Sequence, residues 1–153
     1  MQQRCTKDAE DFLIKARADK VAGALINGGG LGVGQKQRVD MLQHHYSVRL
    51  NGCFVMLHTK VTDPNNGREQ INNDQLAIWD VNDYERGPVA DFIGYPRPEN
   101  PKNFFVTSCY AIDINNLHDL KFDHCDHGYI PTRDLALDIP PKWNALIKPF
   151  MEE

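Results

Sequence analysis

The sequence lacks several features that would place it in a common class. It has no run of about 18 apolar residues, so it predicts no transmembrane helix. Lysine and arginine are scattered, and aspartate and glutamate outnumber them by 21 to 17, which gives a formal net charge of −4. A protein that binds phosphate backbones needs a concentrated basic surface, so nucleic acid is not an expected partner.

The chain also lacks an apolar stretch at its start. The opening MQQRCTKDAEDF is therefore not a signal peptide as it stands. A protein from which a signal peptide had been removed would look the same, so the sequence is compatible with export. With 153 residues, 41% of them hydrophobic and 25% charged, the composition predicts one globular domain with a sizeable core.

Five of the seven residues from Gly28 to Gly34 are glycine, yet no phosphate-binding spacing is present. A GxGxxG pattern from Gly28 fails at Val33, and no Gly-Lys-Ser/Thr occurs. Before this segment, TKDAEDFLIKARADK reads as a helix with Thr6 as its cap and apolar residues at helical spacing. We therefore expect an N-terminal helix and glycine-rich linker over 1–34, and one α+β domain over 35–153.

Alternation and turn residues predict the rest of the fold. QKQRVDMLQHHY reads as a second short helix, and YSVRL-NG-CFVMLHTKVT reads as a hairpin in which Asn51-Gly52 form a type I′ turn. Three further strands follow, and the loops between them include DPNNGREQINND and PRPENPKN. PPKWNALIKPFMEE reads as a C-terminal helix, with Pro141 in its first turn and Pro149 at its end. The expected fold is α+β: an N-terminal helix, an antiparallel meander of about five strands and a short C-terminal helix.

The stretch DHCDHGY carries the strongest chemical signal in the chain. Capping residues on either side favour a short helix over 117–127. On that helix His124 and His127 would share a face with Asp123 beside His127, and His118 is the fourth member of the His/Asp cluster. These four side chains form a candidate site for zinc or another divalent transition metal. In a strand they would point to opposite faces, and the site would be lost.

The alternative for DHCDHGY is a polar segment held by a disulfide. The chain has an even number of cysteines without CxxC spacing, which argues against a zinc ribbon and permits one or two disulfides in an oxidising compartment. The four cysteines are Cys5, Cys53, Cys109 and Cys125. The preferred pair is Cys109–Cys125, because closing a loop of that length stabilises by roughly 3 kcal/mol. Cys53 is either a small buried hydrophobe or a partner for one of these.

Two further sets of residues are candidates for a functional role. Tyr84, Tyr95 and Arg97, with the proline-rich stretch 96–103, are predicted to form a contact surface for another protein. Four carboxylates surround one predicted turn, and we interpret them as solvated rather than as an acid–base pair. These are Asp80, Asp83, Glu85 and Asp91.

The stretches HHYSVRLNGCFVMLHTKV and LAIWDVNDYERGPVADFIGY resemble small exported bacterial proteins of unassigned function. The shared pattern is a Y-x-x-x-L-N-x-C hairpin, then a strand pair with D-x-x-(D/E), a cysteine strand and a closing helix. The likeness covers residues 44–112 and 142–153 and rests on Tyr46, Leu50, Asn51, Cys53, Asp80 and Asp83. It implies an exported, often lipid-anchored protein, with Cys5 as the acylated first mature residue. The sequence MQQR before Cys5 departs from a lipobox.

We therefore expect a non-enzymatic exported module, periplasmic or membrane-attached, that makes a protein–protein contact and is an accessory subunit of a larger assembly. No cofactor is expected. The alternative is a metal-binding protein that uses the His/Asp cluster 118–127. A third hypothesis is a cytoplasmic enzyme with its site near Cys53 and His58. The two lie five residues apart on one predicted strand, so their side chains would point to opposite faces.

Overall fold

Two helices pack against opposite faces of a seven-stranded antiparallel sheet, which confirms the α+β class. The computed structural model describes residues 1–18, 34–65, 68–97, 100–116, 121–125, 127–131 and 135–152. The elements are α1 (Gln2–Ala18), β1 (Lys36–Ser47), β2 (Gly52–Asn65), β3 (Arg68–Asp80), β4 (Ala90–Arg97), β5 (Asn100–Ile112), β6 (Phe122–His124), β7 (Gly128–Ile130) and α2 (Pro141–Met151). Short 3₁₀ turns lie at Tyr84–Arg86 and Ile114–Asn116.

The strands follow one another across the sheet in chain order from β1 to β6, and β7 also pairs with β5. This is the predicted meander, with more strands than the five expected. The additional ones are β6, which lies in the region predicted to be helical, and β7, which begins directly after that region. The sequence predicts a linker that ends at residue 34 and a domain that begins at residue 35. Most of that linker, residues 19–33, lies outside the described part of the chain.

Strand β2 is apolar on both of its faces because each face meets a helix. Val55 and Leu57 lie on the α1 face of the sheet, where they are buried in one cluster with Phe12 of α1. Phe54 and Met56 lie on the opposite, α2 face, in a cluster with four residues of α2. The Phe54 and Phe150 rings meet edge to face with centroids 5.3 Å apart. The alternation predicted for this strand is confirmed.

The helix predicted over QKQRVDMLQHHY is wrong, because these residues form β1. The pairing of β1 with β2 slips between Met41 and Gln43, so Leu42 is an extra residue in a bulge. That insertion changes which residues face the core, and it made Val39, Met41 and Leu42 look helical. Val39 is buried, whereas Leu42 is 38% exposed.

The predicted turns and loops also differ from the structure. Gly52 belongs to β2 and pairs with Ser47, so the turn spans residues 48–51 and only Asn51 takes a positive φ, of 48°. The stretches predicted as polar and proline-rich loops instead extend the β2–β3 and β4–β5 hairpins. Pro96, for example, lies opposite Phe104.

The two helices differ from prediction at their ends. Helix α1 begins at Gln2, so Thr6 lies inside it and donates its hydroxyl hydrogen bond to the Gln2 carbonyl instead of capping. Helix α2 begins at Pro141, as predicted, but it continues past Pro149 to Met151. Within the described ranges, neither helix is long and apolar enough to cross a lipid bilayer.

Candidate functional site

The DHCDHGY stretch contains strand, and the helix predicted over 117–127 is wrong where the structure describes it. Phe122–His124 pair with β5 as β6, so the side chains of Asp123 and His124 point to opposite faces of the sheet. Asp123, His124 and His127 are all exposed. Across the described residues, no three His, Cys, Asp or Glu side chains are grouped to hold a metal ion. His118 lies outside that part of the chain, and the metal site stays a prediction.

Two disulfides fasten the fold at separate places. Cys109 of β5 is bonded to Cys125, just after β6, with their Cα atoms 5.3 Å apart, which is the pairing preferred from the sequence. Cys5 of α1 is bonded to Cys53 of β2, with their Cα atoms 5.4 Å apart. A lipid thioether on Cys5 would require this second disulfide to be absent, because one sulfur cannot carry both bonds.

Cys53 and His58 do not form a nucleophile and base. The Cys53 sulfur is bonded to Cys5, and Cys53 lies on the α1 face of β2. His58 lies on the α2 face, opposite Leu76, and its Nε2 is 2.5 Å from Oδ1 of Asp74. Both members of this His–Asp pair are buried. The pair therefore forms a structural contact between β2 and β3.

Asp91 departs from the prediction of a solvated acidic turn. It is 5% exposed on the α1 face, and its Oδ1 accepts a hydrogen bond of 2.6 Å from Nε2 of the buried Gln75. Burial raises the pKa of Asp91 from 3.8 to about 7, although the bond from Gln75 opposes the change. Asp83 and Glu85 are exposed, as predicted, and Asp80 is half-buried.

Tyr110 lies directly opposite Asp91 in the β4–β5 pairing, so both side chains occupy the same face. Burial, and then the nearby charge of Asp91, raise the pKa of Tyr110 to about 12. The phenol is therefore a neutral hydrogen-bonding group at physiological pH.

Aromatic side chains continue outward from Tyr110 on this face of β4, β5, β6 and β7. We call them the aromatic face: Tyr95, Phe105, Tyr110, Phe122 and Tyr129. Ring centroids lie 5.6 Å apart for Tyr95–Phe105, 5.0 Å for Phe105–Tyr129 and 5.2 Å for Tyr110–Phe122. Phe122 and Tyr129 are 43% and 48% exposed, while the other three are half-buried.

Of the predicted contact residues, Tyr95 belongs to the aromatic face. Tyr84 lies in the 3₁₀ turn before β4, and Arg97 lies at the far end of β4. Their backbones are therefore at opposite ends of this strand, and their side chains lie outside the described part of the structure. Their roles as contact residues stay predictions.

Most of the aromatic face was missed by the sequence analysis. Phe105 and Tyr110 are five residues apart, which in a regular strand puts them on opposite faces. The β4–β5 pairing slips so that Thr107 is an extra residue, and this bulge returns Tyr110 to the face that holds Phe105. A glycine inside a strand, here Gly94 opposite the bulge, is the local sign of such an insertion, and the alternation alone could not locate it.

Comparison with protein families, with curated proteins and with solved structures found no match to this chain.

Proposed function

We propose that this chain is an exported, non-enzymatic module that binds another protein through its aromatic face. In this proposal it acts in the periplasm or at the membrane as an accessory subunit of a larger assembly. The observation that carries the proposal is the two sets of ring contacts that end in exposed rings, Tyr110 with Phe122 and Phe105 with Tyr129.

The disulfides support export. All four cysteines are paired, and stable disulfides are typical of oxidising compartments and rare in the cytosol. Because Cys5 is one of the paired residues, a periplasmic form is favoured over one anchored by a lipid on its sulfur.

The aromatic face supports a protein contact. Tyrosine and phenylalanine are enriched in the cores of protein–protein interfaces, because each buries a large area and loses little conformational freedom. Here the rings already brace one another, since Phe105 touches both Tyr95 and Tyr129. A partner would therefore meet a surface that is ordered before binding, which lowers the entropic cost of association.

The buried polar groups support a binding role over a catalytic one. Gln75 is hydrogen-bonded to Asp91, and His58 is hydrogen-bonded to Asp74, so each pair satisfies itself within the sheet. Cys53, the nucleophile considered from the sequence, is held in a disulfide.

Site-specific photo-crosslinking in the native cell tests the contact. A benzophenone amino acid replaces Phe122 or Tyr129 on the aromatic face, and Val48 or Leu137 elsewhere as matched controls that are 78% and 86% exposed. We expect one discrete adduct with a different protein from positions 122 and 129, and none from 48 and 137. The adduct from position 122 should be lost when Tyr129→Ser is added.

Adducts at all four positions, or at none, would reject the aromatic face as the contact. An adduct twice the mass of the 17.4 kDa chain would replace the accessory-subunit proposal with self-association. Thiol alkylation of the denatured native protein tests export separately: no labelled cysteine is expected, and four labelled cysteines would place the protein in a reducing compartment.

A further inference from the structure

Strand β1 lies at one end of the sheet and has one strand neighbour, β2, among the described residues. A strand at the edge of a sheet presents backbone N–H and C=O groups with which another chain can pair. At the other end of the sheet, the outer side of β5 is already paired with β6 and β7. The outer edge of β1 is therefore a candidate surface for strand pairing, and it lies at the end of the sheet away from the aromatic face.

The register of β1 on β2 shows which of its backbone groups point outward. The Val81 N–H donates to the Cys53 carbonyl, so the backbone of Cys53 points away from β1. Tyr46 lies opposite Cys53, and opposite residues that do not bond each other point their backbone groups apart. Tyr46 therefore points its N–H outward. The same alternation along β2 reaches Thr59, so Val39, which lies opposite Thr59, also points outward.

Helix α1 occupies both of these outward groups. The Oε1 atom of Gln2 accepts a hydrogen bond of 3.1 Å from the Tyr46 N–H. Nε of Arg17 donates one of 2.9 Å to the Val39 carbonyl. Gln2 and Arg17 lie about 22 Å apart along the helix, which is about the length of β1 between Val39 and Tyr46. The helix therefore runs beside the strand, and a side chain at each of its ends reaches the outer edge.

The two occupied groups would also be complementary between two copies of this chain. Consider β1 paired antiparallel with β1 of a second copy, about a twofold axis between Leu42 and Gln43. Tyr46 of each copy then lies opposite Val39 of the other, and both residues point toward the axis. Each Tyr46 N–H can donate to the Val39 carbonyl across the interface. Because both strands carry the same bulge, the register is equal on the two sides of the axis.

We propose that the outer edge of β1 is a pairing surface for a second copy of this chain, and that Gln2 and Arg17 of α1 close it. Each side chain supplies the hydrogen bond that the second copy would supply: Gln2 accepts from Tyr46, and Arg17 donates to Val39. A contact made by one strand pair buries a small area and is weak, so two competing side chains are sufficient to prevent it. This surface is separate from the aromatic face and does not depend on the function proposed for it.

Analytical ultracentrifugation of the purified protein, with its disulfides intact, tests this closure. Gln2→Ala with Arg17→Ala opens the edge. The matched control is Gln3→Ala with Lys7→Ala, which also removes one amide and one cation from exposed positions of α1. We expect the unmodified protein and the control to stay at 17.4 kDa, and the open variant to approach twice that mass as its concentration rises to about 100 µM.

Photo-crosslinking of the same purified proteins locates the contact. A benzophenone amino acid in place of Leu42, which is 38% exposed beside the expected axis, should give a dimeric adduct in the open variant and none in the unmodified protein. The same group in place of Tyr129, at the other end of the sheet, should give no adduct in either. Gln2→Ala alone frees only the Tyr46 N–H, so it should associate more than the control and less than the double variant.

An open variant that is folded and stays monomeric would overturn the proposal. So would a dimer of the unmodified protein that crosslinks from position 42, because the edge would then be open with α1 in place. Equal association of the control would assign the effect to the loss of polar side chains from α1, and adducts from position 129 alone would assign it to the aromatic face. If circular dichroism shows that the double variant does not fold, Gln2→Ala alone decides: association above the control supports the proposal, and a monomer overturns it.

Discussion

At the scale of single residues, the clearest consequence of the fold concerns Asp91. Its carboxyl group is buried beside Gln75, and burial raises its pKa to about 7 because the charged form loses its hydration. In the unfolded chain the same group ionises near its ordinary value of 3.8. The folded state therefore holds a proton that the unfolded state releases between about pH 4 and pH 7.

This difference makes the protein less stable as the pH rises. Each pH unit between about 4 and 7 lowers the free energy of unfolding by about 1.4 kcal/mol, after which the loss is complete. Asp91→Asn keeps an oxygen that accepts the hydrogen bond from Gln75, and it removes the carboxyl group that ionises. We expect the variant to match the unmodified protein near pH 4 and to exceed it by up to about 4 kcal/mol at pH 8, measured by urea denaturation at each pH.

Asp83→Asn is the matched control for this measurement, because Asp83 is an exposed carboxylate in the turn before β4. It should change the free energy of unfolding by no more than about 0.5 kcal/mol, as is usual for a surface substitution. If Asp91→Asn has the same pH dependence as the unmodified protein, Asp91 is already ionised in the folded state near pH 4 and burial does not raise its pKa.

At the scale of elements, the close approach of β4 and β5 depends on Gly94. A Cβ atom added at Gly94 would overlap the Phe104 ring and the Phe105 carbonyl oxygen, beside the bulge at Thr107. We expect Gly94→Ala to lower the free energy of unfolding by about 1–3 kcal/mol, because the strand or the ring must shift to make room. Urea denaturation of the variant measures this loss.

Thr107→Ala is the control at the same bulge. Thr107 is exposed and donates one hydrogen bond, of 3.2 Å, to the Ile93 carbonyl, so its loss should cost about 1 kcal/mol or less. Equal effects from the two variants would mean that the bulge tolerates a methyl group and that Gly94 is not needed for the strand approach.

The elements also show how far the sequence alone can predict this fold. β2 was recognised because a strand that meets a helix on each face is apolar at consecutive positions, as Val55 and Met56 are. β1 was mistaken for a helix because the bulge at Leu42 breaks its period of two. In the candidate sites, the role of Tyr95 as a contact residue stays a prediction, whereas Asp91 was misjudged because burial by strands distant in sequence leaves no local signal.

At the scale of the whole molecule, the two disulfides join segments that are far apart in sequence. Cys5–Cys53 spans 48 residues and ties α1 to β2, whereas Cys109–Cys125 spans 16 residues and ties β5 to the segment after β6. The entropy that a cross-link removes from the unfolded chain grows with the logarithm of the enclosed length. The longer link should therefore contribute more to stability.

We expect Cys5→Ala with Cys53→Ala to lower the free energy of unfolding by about 4 kcal/mol, and Cys109→Ala with Cys125→Ala by about 3 kcal/mol, both measured by urea denaturation. The order matters more than the absolute values, since removing the buried sulfur adds a packing loss at each of Cys5, Cys53 and Cys109, which are at most 4% exposed. If the Cys109–Cys125 pair proves the costlier to remove, then chain entropy does not determine the order. The second disulfide would then act mainly in the folded state, where it holds Cys125, and with it the end of β6, against β5.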